Sequence, residues 1–362
     1  MRHAIVLIFT LLFSFFDKSV ILIIVRFMLL FYGKRVIGLG FRKIIYCCFL
    51  LLFFVGCAGK NADAPNPTKA PQTTSGVSSG QMSLGENELP EDPPLPDLLR
   101  PEASGVLTKE TDCAEIDYSN AKDGYVMARW NSMPEKRIKV QVKGPTTTYT
   151  YNLASDVWEC FPLSDGNGTY QVAVYENVEG SKYALVQSVT AEVELKDEFT
   201  PFLRPNQYVD YADAEQTIRT AAQLTHGKET ELEKVRAVYE YVIHTLTYDK
   251  ELASSVKSGY LPDLDAVLAA KKGICFDYAA LMTGMLRSQS VPCKLVVGYA
   301  GEVYHAWISV YTEKDGWLDG VIYFDGAAWK RMDPTFASSG NQSNEIMKYI
   351  GDGTNYKEKY LY

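Results

Sequence analysis

The chain has 362 residues, of which 47% are hydrophobic and 22% are charged, and its formal net charge is −8 at pH 7. This length exceeds what one compact core needs and suffices for two domains with additional segments. Residues 1–57 contain seven Lys and Arg against one Asp, so the total of −8 leaves −14 on residues 58–362. An acidic body without a basic stripe argues against nucleic acid as a partner, because phosphate binding needs clustered Lys and Arg.

The N-terminal segment, residues 1–57, has the pattern of a targeting sequence. Basic residues precede an apolar run at 44–56, which is shorter than the ~20 residues of a spanning helix but suits the apolar region of a signal peptide. The run ends in Val-Gly-Cys57, which resembles a bacterial lipoprotein cleavage box and predicts lipidation at Cys57. We therefore expect a lipid anchor on the extracytoplasmic face of the cell membrane. The alternative is an uncleaved membrane anchor, and the start could be Met1 or Met28.

Residues 58–104 are rich in Pro, Ser, Thr, Gly and Asn. Such a composition cannot bury enough apolar surface to offset the entropy lost on folding. We expect a disordered tether that holds the following domains away from the membrane surface.

Residues 105–197 contain short alternating or aromatic-rich runs separated by turn signals. The runs predicted to be strands are 125–130, 138–142, 148–152, 170–175, 183–186 and 189–195. Their number and spacing predict a small all-β sandwich. It would serve as a spacer or packing partner for the rest of the protein, which we favour, or as a binding domain for substrate or cell wall.

From residue 198 to residue 362 the pattern changes to helices followed by strands. Apolar residues recur at spacings of three and four over 232–246, which predicts an amphipathic helix, and a more buried helix is predicted over 278–286. Strands are predicted over 294–299, 306–311, 321–324 and in the segment that enters Met332 and Asp333. This order predicts an α+β domain with an antiparallel sheet.

The seven cysteines limit the redox and metal chemistry. Cys113 and Cys160 both fall in the predicted sandwich and could pair in an oxidising compartment, although connectivity cannot be read from sequence. Cys293 opens a predicted strand, which favours a buried packing role. The chain has no Cys-x-x-Cys pair, only four His and no calcium-loop spacing, so we expect no metal site.

Cys275 has a different setting. It follows Gly273 and precedes a predicted helix, where the helix dipole and free amide groups favour a thiolate, the nucleophilic form. His305 begins a predicted strand 30 residues later, and Asp333 follows 28 residues after that. A nucleophilic Cys needs a His to take its proton, and that His needs an acceptor to orient it. Taken singly, each residue could be structural; the ordered combination favours a catalytic triad.

Four blocks resemble the core of the transglutaminase-like superfamily in sequence, order and spacing. They are Gly-x-Cys275-x-Asp-Tyr-Ala, Val-Pro at 291–292 with Val-Gly-Tyr at 297–299, His305-Ala-Trp, and Trp-x-x-x-Asp333-Pro-Thr. The resemblance covers about residues 205–340. It implies a papain-like fold without a cofactor, with Cys275 as nucleophile, His305 as general base and acid, and Asp333 as the orienting carboxylate. It also suggests an upstream side chain in the oxyanion site; Tyr248 is the candidate, and ordinary core packing is its alternative role.

A triad of this kind attacks a carboxamide or peptide carbonyl and forms a thioester. Release to water gives a peptidase or amidase acting on surface protein or cell-wall peptide, and release to an amine gives a cross-linking transglutaminase. Water at ~55 M favours hydrolysis unless the site excludes it. A third alternative is a non-catalytic surface binding or scaffold protein, which the intact Cys275, His305 and Asp333 disfavour.

Overall fold

The computed structural model describes residues 93–132, 136–319, 322–324, 329–331 and 356–362. The proposed targeting segment with Cys57, most of the proposed tether, and Asp333 lie outside the described residues. The described residues all belong to one compact unit. None of the helices in the described part is long and apolar enough to cross a membrane.

The described part of residues 105–197 consists of strands. These are β1 (Thr108–Glu110), β2 (Ala114–Asp117), β3 (Tyr125–Trp130), β4 (Ile138–Lys143), β5 (Thr148–Asn152), β6 (Glu159–Pro162), β7 (Gly168–Glu179) and β8 (Lys182–Val193). They form two antiparallel four-stranded sheets in the orders β1-β2-β3-β6 and β5-β4-β7-β8. The predicted all-β region is confirmed.

Alternation of side chains explains most of these strands. In β5, Tyr149 and Tyr151 are buried while the residues between and beside them are exposed, which is the period of two expected for a half-buried strand. The two runs predicted at 183–186 and 189–195 form one strand, β8, because its pairing with β7 continues across an irregularity at Val174 and Tyr175. A local bulge absorbs the break in the alternation without ending the strand.

The second half begins with helices. They are α1 (Glu215–Thr225), α2 (Glu231–Thr245), α3 (Lys250–Ser255), α4 (Leu264–Ala270) and α5 (Cys275–Ser288). A capping box starts α2: the Thr230 hydroxyl accepts from the Glu233 backbone N–H, and the Glu233 carboxylate accepts from that of Thr230. Helix α5 is buried along almost its whole length, from Asp277 to Ser288, so it forms the centre of this half.

Strands complete the α+β arrangement. They are β9 (Thr247–Tyr248), β10 (Lys272–Gly273), β11 (Cys293–Ala300), β12 (Val303–Thr312), β13 (Gly316–Leu318), β14 (Ile322–Phe324), β15 (Trp329–Arg331) and β16 (Tyr356–Leu361). The principal sheet is antiparallel in the order β13-β12-β11-β16, and α5 packs against β11 and β12. The predicted fold class, α+β preceded by an all-β region, is confirmed.

The two halves share one hydrophobic core instead of two separate ones. Tyr149 and Tyr151 of β5 pack edge-on against Tyr362, with ring centroids 5.6 and 5.9 Å apart. Tyr151 also contacts Tyr208, which precedes α1. Each ring buries a large apolar area, so this cluster joins the sandwich firmly to the α+β half. The sandwich is therefore a packing partner of the second half.

Residues 93–104 differ from the predicted free tether because they pack on the folded body. Leu98 contacts the core. The Arg100 guanidinium lies 3.0 Å from the Asp213 carboxylate, and the Glu102 backbone N–H donates to the Tyr125 hydroxyl at 3.1 Å. The composition of this stretch is tether-like, but its partners lie far along the chain.

The disulfide considered between Cys113 and Cys160 is not formed, because both cysteines are free. Cys160 is buried in a small cluster with Tyr125 and Met127, whereas Cys113 packs against the main core. Burial raises the pKa of the Cys160 thiol strongly, which makes it unreactive.

Candidate active site

Cys275 is the first residue of α5, and the preceding turn is held by its own hydrogen bond. The backbone N–H of Ile274 donates to Asp277 Oδ2 at 2.7 Å, so a carboxylate one turn into the helix closes the turn that carries Cys275. Gly273 makes this possible, since a Cβ atom there would lie 2.6 Å from the Cβ of Asp277.

Asp277 is fully buried, and its second oxygen is also used. The Tyr260 hydroxyl donates to Asp277 Oδ1 at 2.7 Å. Burial raises the pKa of the Asp277 carboxyl, although both hydrogen bonds act in the opposite direction. Asp277 therefore ties Tyr260 to the turn that positions Cys275.

Tyr248 reaches the same turn through a short parallel pair of strands. Its strand β9 runs beside β10, with Tyr248 in register with Gly273, and the Asp249 N–H donates to the Gly273 carbonyl at 2.8 Å. Burial, and then the charges of Cys275 and Asp277, raise the pKa of the Tyr248 hydroxyl. The hydroxyl therefore stays protonated at neutral pH and is available as a hydrogen-bond donor.

His305 lies near the start of β12 and is only 5% exposed. It is opposite Gly298 of β11, and its ring stacks on Trp307 with centroids 6.2 Å apart and planes at 23°. A Cβ atom at Gly298 would overlap the Lys357 carbonyl oxygen and lie 2.8 Å from the Trp307 ring. The absence of a side chain at Gly298 lets β16 and the indole approach closely, and the indole in turn limits the rotation of His305.

One cavity of about 480 Å³ brings these residues together. Cys275, His305 and Tyr248 all line it, although they are separated by up to 57 positions in the chain. The rest of the lining is mostly aromatic or aliphatic and includes Tyr208, Val256, Tyr260, Phe276, Tyr304 and Tyr362. Asp333 lies outside the described residues, so its role in the triad stays a prediction.

Three of the tyrosines in this cavity were not found by sequence reasoning. Tyr208, Tyr260 and Tyr362 come from three separate loops or chain segments and carry no local motif. The rings of Tyr208 and Tyr260 pack against Phe276, with centroids 5.5 and 6.4 Å from it. The ring of Tyr362 packs against Tyr208, with centroids 4.4 Å apart. The only available signal was the high tyrosine content, 24 residues in the whole chain.

Cys293 is a buried packing residue, as predicted. It is fully buried at the start of β11, and its sulfur lies 3.6 Å from the Thr283 hydroxyl. Burial raises the pKa of this thiol to about 11. It does not line the cavity, and it provides a natural control for Cys275.

The arrangement suits acyl chemistry at a carbonyl group. A half-buried thiol at a helix start, a buried imidazole and a protonated phenol face one cavity, which are the groups needed for attack, proton transfer and oxyanion stabilisation. In the described ranges, no group of three or more His, Cys, Asp or Glu side chains has the geometry of a metal site.

Residues 218–320 match the family model of the transglutaminase-like superfamily. The chain is 29% identical over 128 residues to the kyphoscoliosis peptidase of Mus musculus, covering 31% of this chain and 19% of that protein. It is 22% identical over 206 residues to the uncharacterized protein YebA of Bacillus subtilis, covering 51% and 26%. The match thus spans about a quarter or less of these curated relatives.

Similar solved structures include the transglutaminase of red sea bream, with 12% identity, a TM-score of 0.28 and coverage of 64% of this chain and 54% of that one. Another is the periplasmic domain of TgpA from Pseudomonas aeruginosa, with 16% identity, a TM-score of 0.26 and coverage of 66% and 100%. The matched residues 218–320 contain Cys275, His305 and Tyr248. In this stretch the chain is similar to the transglutaminase-like superfamily of cysteine-based enzymes.

Proposed function

We propose that this protein is a cysteine hydrolase, a peptidase or amidase, that cleaves amide bonds of surface protein or cell-wall peptide outside the cytoplasm. The observation that carries the proposal is the single cavity lined by Cys275, His305 and Tyr248. The mouse relative is named a peptidase, which supports the same reaction class.

The reaction would proceed in two steps. Cys275 Sγ attacks the carbonyl carbon, its proton passes to His305, and the negative oxygen accepts a hydrogen bond from Tyr248. His305 then protonates the leaving amine, and a thioester remains on Cys275. In the second step His305 takes a proton from water, the hydroxide attacks the thioester, and the acid leaves while Sγ recovers its proton. Asp333 would orient His305 throughout.

Hydrolysis is preferred over cross-linking because the cavity is open enough for water, and water greatly outnumbers any amine. A cross-linking enzyme would instead release the acyl group to a lysine amine and form an isopeptide bond. The two outcomes differ in products and not in the nucleophile, so one experiment separates them.

That experiment incubates the full chain with a cell-surface protein pool, with and without millimolar primary amine, and identifies products by mass spectrometry. We expect cleaved peptides or deamidated glutamines even with amine present. Cys275→Ala should abolish them, whereas the matched control Cys293→Ala should retain most of the turnover because its thiol lies in the core. If isopeptide products form faster than hydrolysed ones, the proposed function changes from hydrolase to cross-linking transglutaminase. Full activity in Cys275→Ala would contradict both the hydrolase and the transglutaminase function.

We propose further that a lipid at Cys57 anchors the protein to the membrane, because a small residue and a short apolar run precede this cysteine. The mature chain should begin at Cys57 and partition into detergent, and Cys57→Ala should release or misprocess it. An unmodified mature N-terminus at another residue, found by mass spectrometry, would contradict the anchor. It would leave the proposed chemistry untouched.

A further inference from the structure

The lining of the active-site cavity is chemically one-sided. Six aromatic side chains line it: Tyr208, Tyr248, Tyr260, Phe276, Tyr304 and Tyr362. Among the lining residues that the structure describes, Lys257 is the only charged one apart from the titratable His305 and Cys275, and none is a carboxylate. A substrate group that enters this space exchanges water for apolar and ring surfaces.

The phenols do not change this character with pH in the neutral range. Burial raises the pKa of the Tyr208 hydroxyl and raises that of Tyr304 to about 12. The pKa of Tyr260 is raised as well, by burial and then by its hydrogen bond to Asp277. These phenols therefore remain uncharged from acid to mildly alkaline conditions.

The rim of the cavity is apolar although it faces water. Val303 and Tyr304, at the start of β12, are 62% and 56% exposed, and Val256, beyond α3, is 37% exposed. All three residues line the cavity; Val303 and Tyr304 precede His305 in the chain, and Val256 precedes Lys257. An exposed apolar rim around a concave site marks a surface that a ligand covers.

We propose that this cavity holds an aromatic or large aliphatic side chain of the substrate, beside the carbonyl that Cys275 attacks. This inference rests on the proposed function and narrows it. Peptide or protein substrates with an apolar residue at the scissile bond fit this cavity, and substrates with a charged side chain at that position do not. A charged side chain would lose its hydration against these aromatic walls, and Lys257 offers a charged partner to an anionic side chain alone.

The substrate side chain would contact two parts of the cavity, the rings around Phe276 and the exposed residues at the start of β12. Phe276 follows the nucleophile, so the ring floor it forms with Tyr208 and Tyr260 lies next to the reacting atom. Val303 and Tyr304 would cover the side chain from the β12 side. Packing of Tyr304 edge-on against Tyr299, at 5.5 Å between centroids, holds that rim residue in position.

The test measures binding without turnover. Capped peptides of equal length, differing at one position as Phe, Leu, Ala, Glu or Lys, are titrated into the full-length Cys275→Ala protein by calorimetry. We expect the Phe and Leu peptides to bind at least ~10-fold more tightly than the other three, as burial of a large apolar side chain implies. Equal affinities for Phe, Ala and the charged peptides would overturn the proposal.

Two surface valines supply a matched pair of variants in the same background. Val303→Ser should weaken binding of the Phe peptide several-fold and leave the Ala peptide unchanged. Val178→Ser, in the sandwich strand β7 with a similar exposure of 57%, should alter neither. Tyr304→Phe should keep the preference for Phe, and Tyr304→Ser should reduce it. If the two valine variants change peptide binding equally, the rim at Val303 does not contribute to recognition of the substrate side chain.

The binding preference and the proposed reaction can each fail without the other. If the native protein shows no Cys275-dependent turnover but the binding preference holds, the hydrolase proposal fails and the apolar site stands. If turnover depends on Cys275 but apolar and charged peptides bind alike, the reaction stands and the apolar site fails.

Discussion

The sandwich, residues 105–197, and the α+β half, residues 198–362, bury different kinds of side chain. In the described part of the sandwich, the buried polar side chains are Asp117 and Ser164. The described part of the second half buries many more: Thr200, Asn206, Thr217, Thr220, Thr225, Asp277, Thr283, Arg287, Ser288, His305, Ser309 and Thr312. These polar groups concentrate on α1, α5 and β12, and the last two of these elements carry Cys275 and His305.

Arg287 illustrates what the polar groups contribute. Its guanidinium is 3% exposed, and burial lowers its pKa. It donates to three backbone carbonyls, those of Cys293 at 2.8 Å, Arg204 at 2.8 Å and Tyr362 at 2.6 Å. Because each donor must meet its acceptor, this network ties α5 to β11 and to Tyr362 in one arrangement.

The comparison indicates that the two halves contribute differently to stability and to catalysis. Apolar contacts in the sandwich stabilise the fold without directional demands, whereas the buried hydrogen bonds of Asp277 and Arg287 position the helix that carries Cys275. Changes in the second half should therefore affect catalysis more than stability, and changes in the sandwich should do the opposite.

After loss of the nucleophile Cys275, the largest effect is expected from Asp333→Asn. If Asp333 orients His305 and does not transfer a proton, the variant should fold normally while kcat falls by up to ~10⁴-fold, about 5.5 kcal/mol of transition-state stabilisation. The measurement is kcat on a peptide substrate, with circular dichroism as the control for folding. Unchanged kcat in a folded variant would remove Asp333 from the triad.

A pair of isoleucine variants tests the comparison itself. Ile116 in β2 and Ile308 in β12 are both fully buried, so Ile116→Ala and Ile308→Ala should each lower the free energy of unfolding by about 3 kcal/mol. Only Ile308→Ala should also lower kcat, because β12 carries His305. Denaturant titration and kcat measured well below the unfolding transition separate the two effects. A similar loss of kcat in both variants would contradict the conclusion that the second half alone positions the catalytic residues.

Tyr248→Phe should have the next largest effect. Loss of the donated hydrogen bond to the oxyanion should reduce kcat by about 10²-fold, or ~2.7 kcal/mol, with little change in KM. The side chain is partly exposed, so the melting temperature should hardly change. Tyr241→Phe, in α2, is the matched control, because Tyr241 does not line the cavity. If both variants keep full kcat, Tyr248 is a packing residue.

Asp277→Asn should have the smallest effect, about 1 kcal/mol or less, since Asn keeps one acceptor for the Ile274 N–H and Tyr260 can reverse its hydrogen bond. Burial raises the folded-state pKa of Asp277, so folding favours the protonated acid. The resulting stabilisation is complete below the unfolded pKa, near 3.8, and is lost as pH rises through the higher folded pKa.

The melting temperature of the native protein relative to Asp277→Asn should therefore decrease between pH 4 and pH 7. Differential scanning calorimetry at both pH values gives this difference directly. An advantage of the native protein that grows with pH would mean that the carboxylate form is the favoured one, contrary to the effect of burial.

Local pattern was sufficient for most strands of the sandwich and for α2 and α5. Alternation in β5 and the spacing of three and four in α2 follow directly from which face is buried. It was insufficient for α1, whose middle is rich in Thr, Ala and Gln, and for β16, whose pairing with β11 joins residues about 60 positions apart. Strand pairing at that distance depends on loop closure and packing, which leave no local signal.

The sequence by itself determined the nucleophile's setting, the place of His305 on a strand and the similarity of residues 218–320 to a known family, because a turn before a helix and a strand-borne histidine are encoded within a few residues each. Only the tertiary structure decided that Cys275, His305 and Tyr248 share a cavity with Tyr208 and Tyr362, that the halves form one core, and that Cys113 and Cys160 stay apart. The reason is physical: short-range spacing reports which side of an element is buried, whereas its partner across the core is selected by shape and hydrogen bonding among distant segments.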